Sequence, residues 1–241
     1  MLAVLSVEAR KLNRSLAAVL AMAAPALIAV FMFFNMLRGH KAATWALWTQ
    51  ASTGVWAYFM LPMSVTALTA LVAHMEHGPR AWDHLRALPV ARWKLYAAKA
   101  LCVVAIVAVM SLLNLLLTLA AVSAAAAIKP VLTPTGSLHL GAQLLLVAKV
   151  VLAATLMVAI QLWTALRFTS FVPALALGIG GAFFSVVATA AKPGVFFPWQ
   201  MPVNMLATEP WRVHTALALG GGLGLVVLML AIAHLARREV L

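Results

Sequence analysis

Charged and polar side chains are scarce enough in this chain to be weighed one at a time. Seventeen residues are Lys or Arg and only five are Asp or Glu. The one close set of groups able to hold a metal is His74, Glu76 and His77, with Met75 between them. Soft ligands select ions such as copper, but the set falls at the end of an apolar run and the Met residues are scattered through others, so no metal site is expected. Phosphate chemistry would need a G-x-x-x-x-G-K-[ST] loop, and none is present. Gly220, Gly221, Gly222 and Gly224 lie inside an apolar run with no Lys after them. Gly220 and Gly224 form a G-x-x-x-G pair, whose ordinary use is close helix packing, and Gly178 with Ala182 offers a similar seam. G-x-S-x-G and H-E-x-x-H are also missing. No catalytic residue is expected, and the chain does not read as an enzyme. Asn35, Asn114 and Gln161 stand singly in apolar runs, where interhelical hydrogen bonding is the common role. Lys149 lies a few residues inside another run. Either it lines a path across the membrane, or its stem snorkels to the outer interface, the more ordinary outcome.

The elements that position these groups follow from composition. Of 241 residues, 65% are hydrophobic and 9% charged, with mean hydropathy +1.04. A soluble domain has about 45–50% apolar and about 25% charged residues, so a water-soluble enzyme, a disordered chain and a secreted disulfide scaffold are excluded. The lone Cys102 allows no disulfide within the chain. Six apolar runs at about 16–37, 51–73, 101–124, 142–166, 170–190 and 213–235 each approach the ~20 residues that cross a bilayer. The expected fold is therefore all-α and integral to the membrane: one domain over residues 1–241, with six transmembrane helices. The turn near Arg167 between the fourth and fifth runs is the least sharply marked boundary. The gaps are too short for a soluble domain, and the first run is too long for a signal peptide.

Basic residues orient the chain. Arg10, Lys11, Arg14, Arg80, Arg86, Arg92, Lys94, Lys99, Arg167, Arg237 and Arg238 fall on the side of the N-terminus, against Arg38, Lys41, Lys129, Lys192 and Arg212 on the other. Cytoplasmic loops are the richer in Lys and Arg, so both termini are expected in the cytoplasm. The net charge of +12 then reflects attraction to an anionic inner leaflet rather than to nucleic acid.

Two segments on the basic side carry further information. In residues 1–14, Leu2, Leu5, Ala9 and Leu12 share a helix face, with Glu8 and Lys11 on other faces as an i,i+3 pair. This predicts an amphipathic helix in the interface. In the gap 74–100, Gly78-Pro79 breaks the chain and Pro79 suits the first turn of a new helix. Ala81, Leu85 and Leu88 share a face beside Trp82, with Arg80, Asp83 and Arg86 on a charged side, and the helix must stop before Pro89. A second basic stretch, Arg92 to Lys99, leads into the third run. The short helix is either a solvated connector or a surface that docks into a groove of a soluble partner.

These residues resemble a known family. Glu76, Trp82, Leu85, Leu88, Pro89, Val90, Arg92 and Lys99 are similar to the cytoplasmic loop of permease subunits of type-2 ATP-binding-cassette (ABC) exporters. Glu8, Lys11 and Leu12 resemble the opening of the same permeases, whose first helix lies along the membrane surface. Phe196 to Leu206, with Phe197, Pro198, Trp199 and Pro202, looks like the Pro/aromatic outer segment (191–212 here) that precedes their last span. The layout is nearest to the small bacteriocin or lantibiotic immunity permeases, although the short outer gaps leave no room for the large extracellular domain of the bacitracin-sensing type.

The resemblance implies a permease of the bacterial inner membrane, moving a hydrophobic or amphipathic peptide, antibiotic or lipid-like cargo. It implies coupling through residues 79–88 to a separate ATPase present in two copies, which carries the ATP and Mg, and pairing with a second permease copy or a homologue among membrane lipids. This chain itself would need no cofactor. Glu76 would pair with Arg92, Arg80 or a basic residue of the ATPase. The alternatives are a membrane scaffold or immunity protein without turnover and, further off, an intramembrane enzyme.

Overall fold

The computed structural model describes residues 1–13, 15–77, 90–189 and 191–237. Long apolar runs with few helix breakers become helices because backbone polar groups inside a bilayer must be satisfied within the segment. Helix α1 covers Leu2–Asn13 and α2 Leu16–Arg38, joined at Ser15, whose Oγ accepts from Ala17 N at 3.1 Å and caps α2. Helix α3 (Trp45–His77) is capped by Thr44 Oγ1, which accepts from Leu47 N at 3.2 Å. Helix α4 covers Arg92–Ile128, α5 Leu140–Ala153, α6 Thr155–Arg167, α7 Val172–Ala188 and α8 Pro210–Arg237.

Helices α2, α3, α4 and α8 are long and apolar enough to cross a membrane, and α5 with α6, bent by 41° around Ala154, makes a fifth. The fifth predicted run forms a helix of only 17 residues, α7, about 25 Å long. Two elements outrun their predicted bounds. Helix α3 starts at Trp45 rather than near 51, and α4 absorbs Arg92 to Lys99, so the basic stretch and the third run are one helix of 37 residues.

Breaks within the helices have local causes. In α3 a π turn covers Trp56–Met60, where Leu61 N–H reaches back to Trp56 O. Only Leu61 separates it from Pro62, whose nitrogen has no hydrogen to donate, so the ladder is rerouted there. A second π turn spans Leu217–Leu223 in α8, over the glycines. A Cβ on Gly220 would collide with the backbone of Ala153, and one on Gly224 with the backbone of Leu156. The G-x-x-x-G pair thus lets α8 press backbone to backbone against the α5–α6 bend, as its spacing predicted.

Helix α6 lies at the centre, and ten of its residues are buried. Gln161 Nε2 donates to Thr66 Oγ1 of α3 at 2.8 Å and to Ala174 O of α7 at 3.3 Å. Asn114 Nδ2 of α4 donates to Ser52 Oγ of α3 at 3.1 Å, and Ser52 Oγ lies 2.6 Å from Thr118 Oγ1. Asn114 and Gln161 are interhelical ties, as expected, whereas Asn35 is exposed on α2. Lys149 is half-buried on α5, nine residues past its start.

At one end of the bundle, Thr135 N donates to Ala43 O at 2.9 Å and Trp45 N to Thr135 O at 3.2 Å, joining the α2–α3 and α4–α5 connections. The Pro/aromatic segment fills the same end. It is folded into the protein: residues 199–205 are buried without interruption. Trp199 packs over Gly181 of α7 and stacks on Phe197, ring centroids 5.4 Å apart. Gln200 Nε2 donates to Thr189 Oγ1 at 2.9 Å. Trp199 is thus a packed core residue rather than an aromatic side chain exposed at the interface.

Candidate coupling site

Four charged side chains meet at the other end of the bundle, where α3 stops and α4 starts. Glu8 and Lys11 come from α1, Glu76 from the last turn of α3 and Lys99 from the third turn of α4. Lys99 Nζ lies 2.6 Å from Glu76 Oε1 and 2.7 Å from Glu8 Oε2. Lys11 Nζ lies 3.0 Å from Glu76 Oε1 and 3.2 Å from Glu8 Oε1. The ammonium and carboxylate groups therefore alternate around a closed ring with no net charge. Glu8, Glu76 and Lys99 are each 1–2% exposed.

Neutrality is what makes this burial tolerable. Each ion loses several kcal/mol of hydration on leaving water, and only close, well-bonded counter-ions offset that. Lys11 is the partly exposed member. Burial alone would lower its pKa, but hydrogen bonds and charge from Glu76 and Glu8 outweigh burial and hold it above the ordinary lysine value. It is therefore fully ionised near neutral pH.

The ring changes how the opening helix sits. The predicted apolar face was Leu2, Leu5, Ala9 and Leu12, with Glu8 turned elsewhere. Instead Leu2 is 83% exposed, and the inward face runs through Val4, Leu5, Glu8, Lys11 and Leu12. Attraction of Glu8 to buried Lys99 rotates α1 away from the orientation that hydrophobicity alone would choose. The Glu8–Lys11 pair forms as expected.

The predicted partner of Glu76 needs correction. Arg92 stands exposed on the first turn of α4, and the carboxylate is taken by Lys99, two turns further along, together with Lys11. Arg80, Trp82, Asp83, Leu85, Arg86, Leu88 and Pro89 lie outside the described residues. Those that precede and follow them are fixed by the ring, since Glu76 ends one stem and Lys99 begins the other. The sequence marks Lys99 as part of a basic flank and of the family resemblance, but not as the partner of Glu8 and Glu76. The signal that marks it is its setting: an isolated Lys in the apolar stretch Tyr96-Ala-Ala-Lys-Ala-Leu-Cys102 must find an acid, and acids are few here.

No curated protein and no solved structure matches the chain. A family model described as ABC-2 family transporter protein matches residues 4–187, from α1 through both stems of the ring to the last turn of α7, and the chain belongs to that family as a membrane permease component of an ABC transporter.

Proposed function

We propose that the chain is the permease subunit of an ATP-driven exporter whose separate ATPase docks on residues 79–88. The observation that carries this reading is the ring of Glu8, Lys11, Glu76 and Lys99, which clamps both stems of that segment to α1. A load applied to residues 79–88 reaches α1, α3 and α4 together, so the three move as one body. ATP-driven closure of two ATPases, each carrying ATP and Mg, then rocks two permeases, either two copies or a copy and a homologue, between inward- and outward-open states. In this reading six spans cross a bacterial inner membrane with both termini and residues 74–100 in the cytoplasm, α7 being the short span. The apolar spans suit a hydrophobic or amphipathic cargo, a peptide antibiotic or a lipid-like molecule.

The test is co-purification. Trp82, Leu85 and Leu88 would be the buried anchors, and losing one such anchor costs about 2 kcal/mol, a roughly thirtyfold weakening. Arg80, Asp83 and Arg86 at the rim would matter less. Leu85→Asp is expected to release the ATPase in detergent, whereas Glu76→Gln keeps the complex but uncouples hydrolysis from export. A Leu85→Asp protein that retains full ATPase stoichiometry and normal export overturns the docking assignment.

A further inference from the structure

Of the thirteen residues in α6 only Ile160, Trp163 and Arg167 reach the surface. Spacings of three and four place them on one face, so the central helix of the bundle is bare along a single stripe. Beside it α8 presents Val227, Leu230, His234 and Arg237 at similar spacing. Two adjoining cavities of about 390 and 550 Å³ lie along this seam and share Leu230 and His234. Ile160, Trp163 and Val227 line the one of about 390 Å³, Ala233 and Arg237 the one of about 550 Å³.

From Val227 to Arg237 the groove runs about 15 Å along α8. That is half the ~30 Å hydrocarbon core, the depth of one leaflet. Its polarity is graded in the sense of a lipid, with an apolar floor inside and His234 and Arg237 at the helix end. Arg167 follows one turn beyond Trp163 on the same face of α6, its guanidinium 5.2 Å from the Phe168 ring. His74 and His77 of α3 line one small cavity with Ala165 and Phe168, so this end of the groove lies at the level where α3 stops. Among the described residues the acids lie elsewhere: Glu8 and Glu76 are held by lysines, and Glu209 precedes the far end of α8.

We propose that this groove seats an anionic phospholipid from the leaflet at the α3 stop. One acyl chain lies over Ile160, Trp163 and Leu230, and the phosphate is bonded by Arg237 and His234. Basic pockets between membrane helices hold anionic headgroups in this manner, and Trp suits the depth at which chain meets headgroup. The inference needs the chain to be in a membrane and depends on no statement about cargo or ATPase docking.

Native mass spectrometry of the purified full chain, offered dioleoyl phosphatidylglycerol or dioleoyl phosphatidylcholine, tests it. The wild type is expected to retain phosphatidylglycerol in preference. Arg237→Gln should cut that retention roughly fivefold, the equivalent of about 1 kcal/mol for one basic group at an anionic surface, and leave phosphatidylcholine unchanged. Arg38→Gln removes the same charge from an exposed site at the far end of α2 and should change neither. Ala233→Trp, at an exposed position, should crowd the cavity beside Arg237 and lower retention of both lipids. Equal retention of the two lipids by the wild type, or equal losses in Arg237→Gln and Arg38→Gln, overturns the proposal. So does a dimer that Leu230→Arg splits while phosphatidylglycerol binding stays at the wild-type level, which would assign the groove to a second copy.

Discussion

Replacing Lys99 by Met tests the ring directly. The substitution keeps an unbranched side chain of similar reach but removes the ammonium group 2.6 Å from Glu76 and 2.7 Å from Glu8. Two buried carboxylates then share the single charge of Lys11. Removing one partner from a buried ion pair costs about 3–5 kcal/mol, which multiplies the population with α1 undocked by roughly 150- to 5,000-fold. Limited trypsin digestion reads that population, because Arg10 and Lys11 lie within the helical backbone of α1 and cleavage there requires it to open. The discriminating variant is the double substitution Lys99→Met with Glu8→Gln. It leaves Lys11 facing Glu76, neutral again, and is expected to be cleaved more slowly than Lys99→Met alone. A double variant whose increase in cleavage equals the product of the two single-variant increases, or a Lys99→Met protein cleaved at the wild-type rate, refutes the electrostatic account. The raised pKa of Lys11 adds a pH expectation with a definite sign. Its contribution is complete below the ordinary lysine value of 10.5 and is lost as pH rises through the higher folded value, so cleavage should be flat across neutral pH and rise only in strong alkali.

Other expectations follow from packing. Gly220→Ala sets a methyl against the Ala153 backbone, which cannot swing aside, and should lower stability by about 1–3 kcal/mol; Gly222→Ala points into open space and should be silent in the same thermal-shift assay. Trp199→Ala empties the site over Gly181, costing about 3–5 kcal/mol, yet should leave ATPase co-purification intact because the site is at the opposite end from the ring. Asn114→Leu breaks the Ser52 tie, and by SDS-titrated unfolding should cost near ~0.6 and no more than about 1.7 kcal/mol, the range measured for such bonds in a membrane. Accessibility labelling of a cysteine at position 84, in a Cys102→Ser background, checks orientation; reaction from outside the cell rejects a cytoplasmic 74–100.

Apolar run length made four spans and the bent fifth legible, because a bilayer requires the same ~20 residues whatever surrounds them. Contacts between distant parts of the chain were far less so. Glu8 and Lys11 are three apart and their pairing could be read from helix geometry, but Lys99 is 91 residues from Glu8 and 23 from Glu76, and no local pattern links them. The rotation of α1 was missed for the same reason: hydrophobic periodicity counts apolar side chains and gives no weight to a buried counter-ion. The bend at Ala154 leaves no mark in Val-Leu-Ala-Ala-Thr either. It lies where Gly220 and Gly224 press in from a helix some seventy residues away in sequence. For residues 196–206, Pro and aromatic content signalled irregular backbone, while the depth to which Trp199 sinks depended on Gly181 offering a bare helix surface.

Helix α4 has a mechanical consequence. Its 37 unbroken residues make a rod about 55 Å long, nearly twice the ~30 Å hydrocarbon thickness. One end carries Lys99. Just past the other, Lys129 Nζ donates to Gly39 O at 2.9 Å and Thr135 pairs with Ala43 and Trp45. A tilt of about ten degrees around the midpoint displaces each tip by about 5 Å, in opposite directions. Whatever draws the tip at Arg92 inward therefore drives the tip at Ile128 outward at the same instant, with no relay between them. A single lever of this kind makes the two sides of the membrane respond with opposite sign.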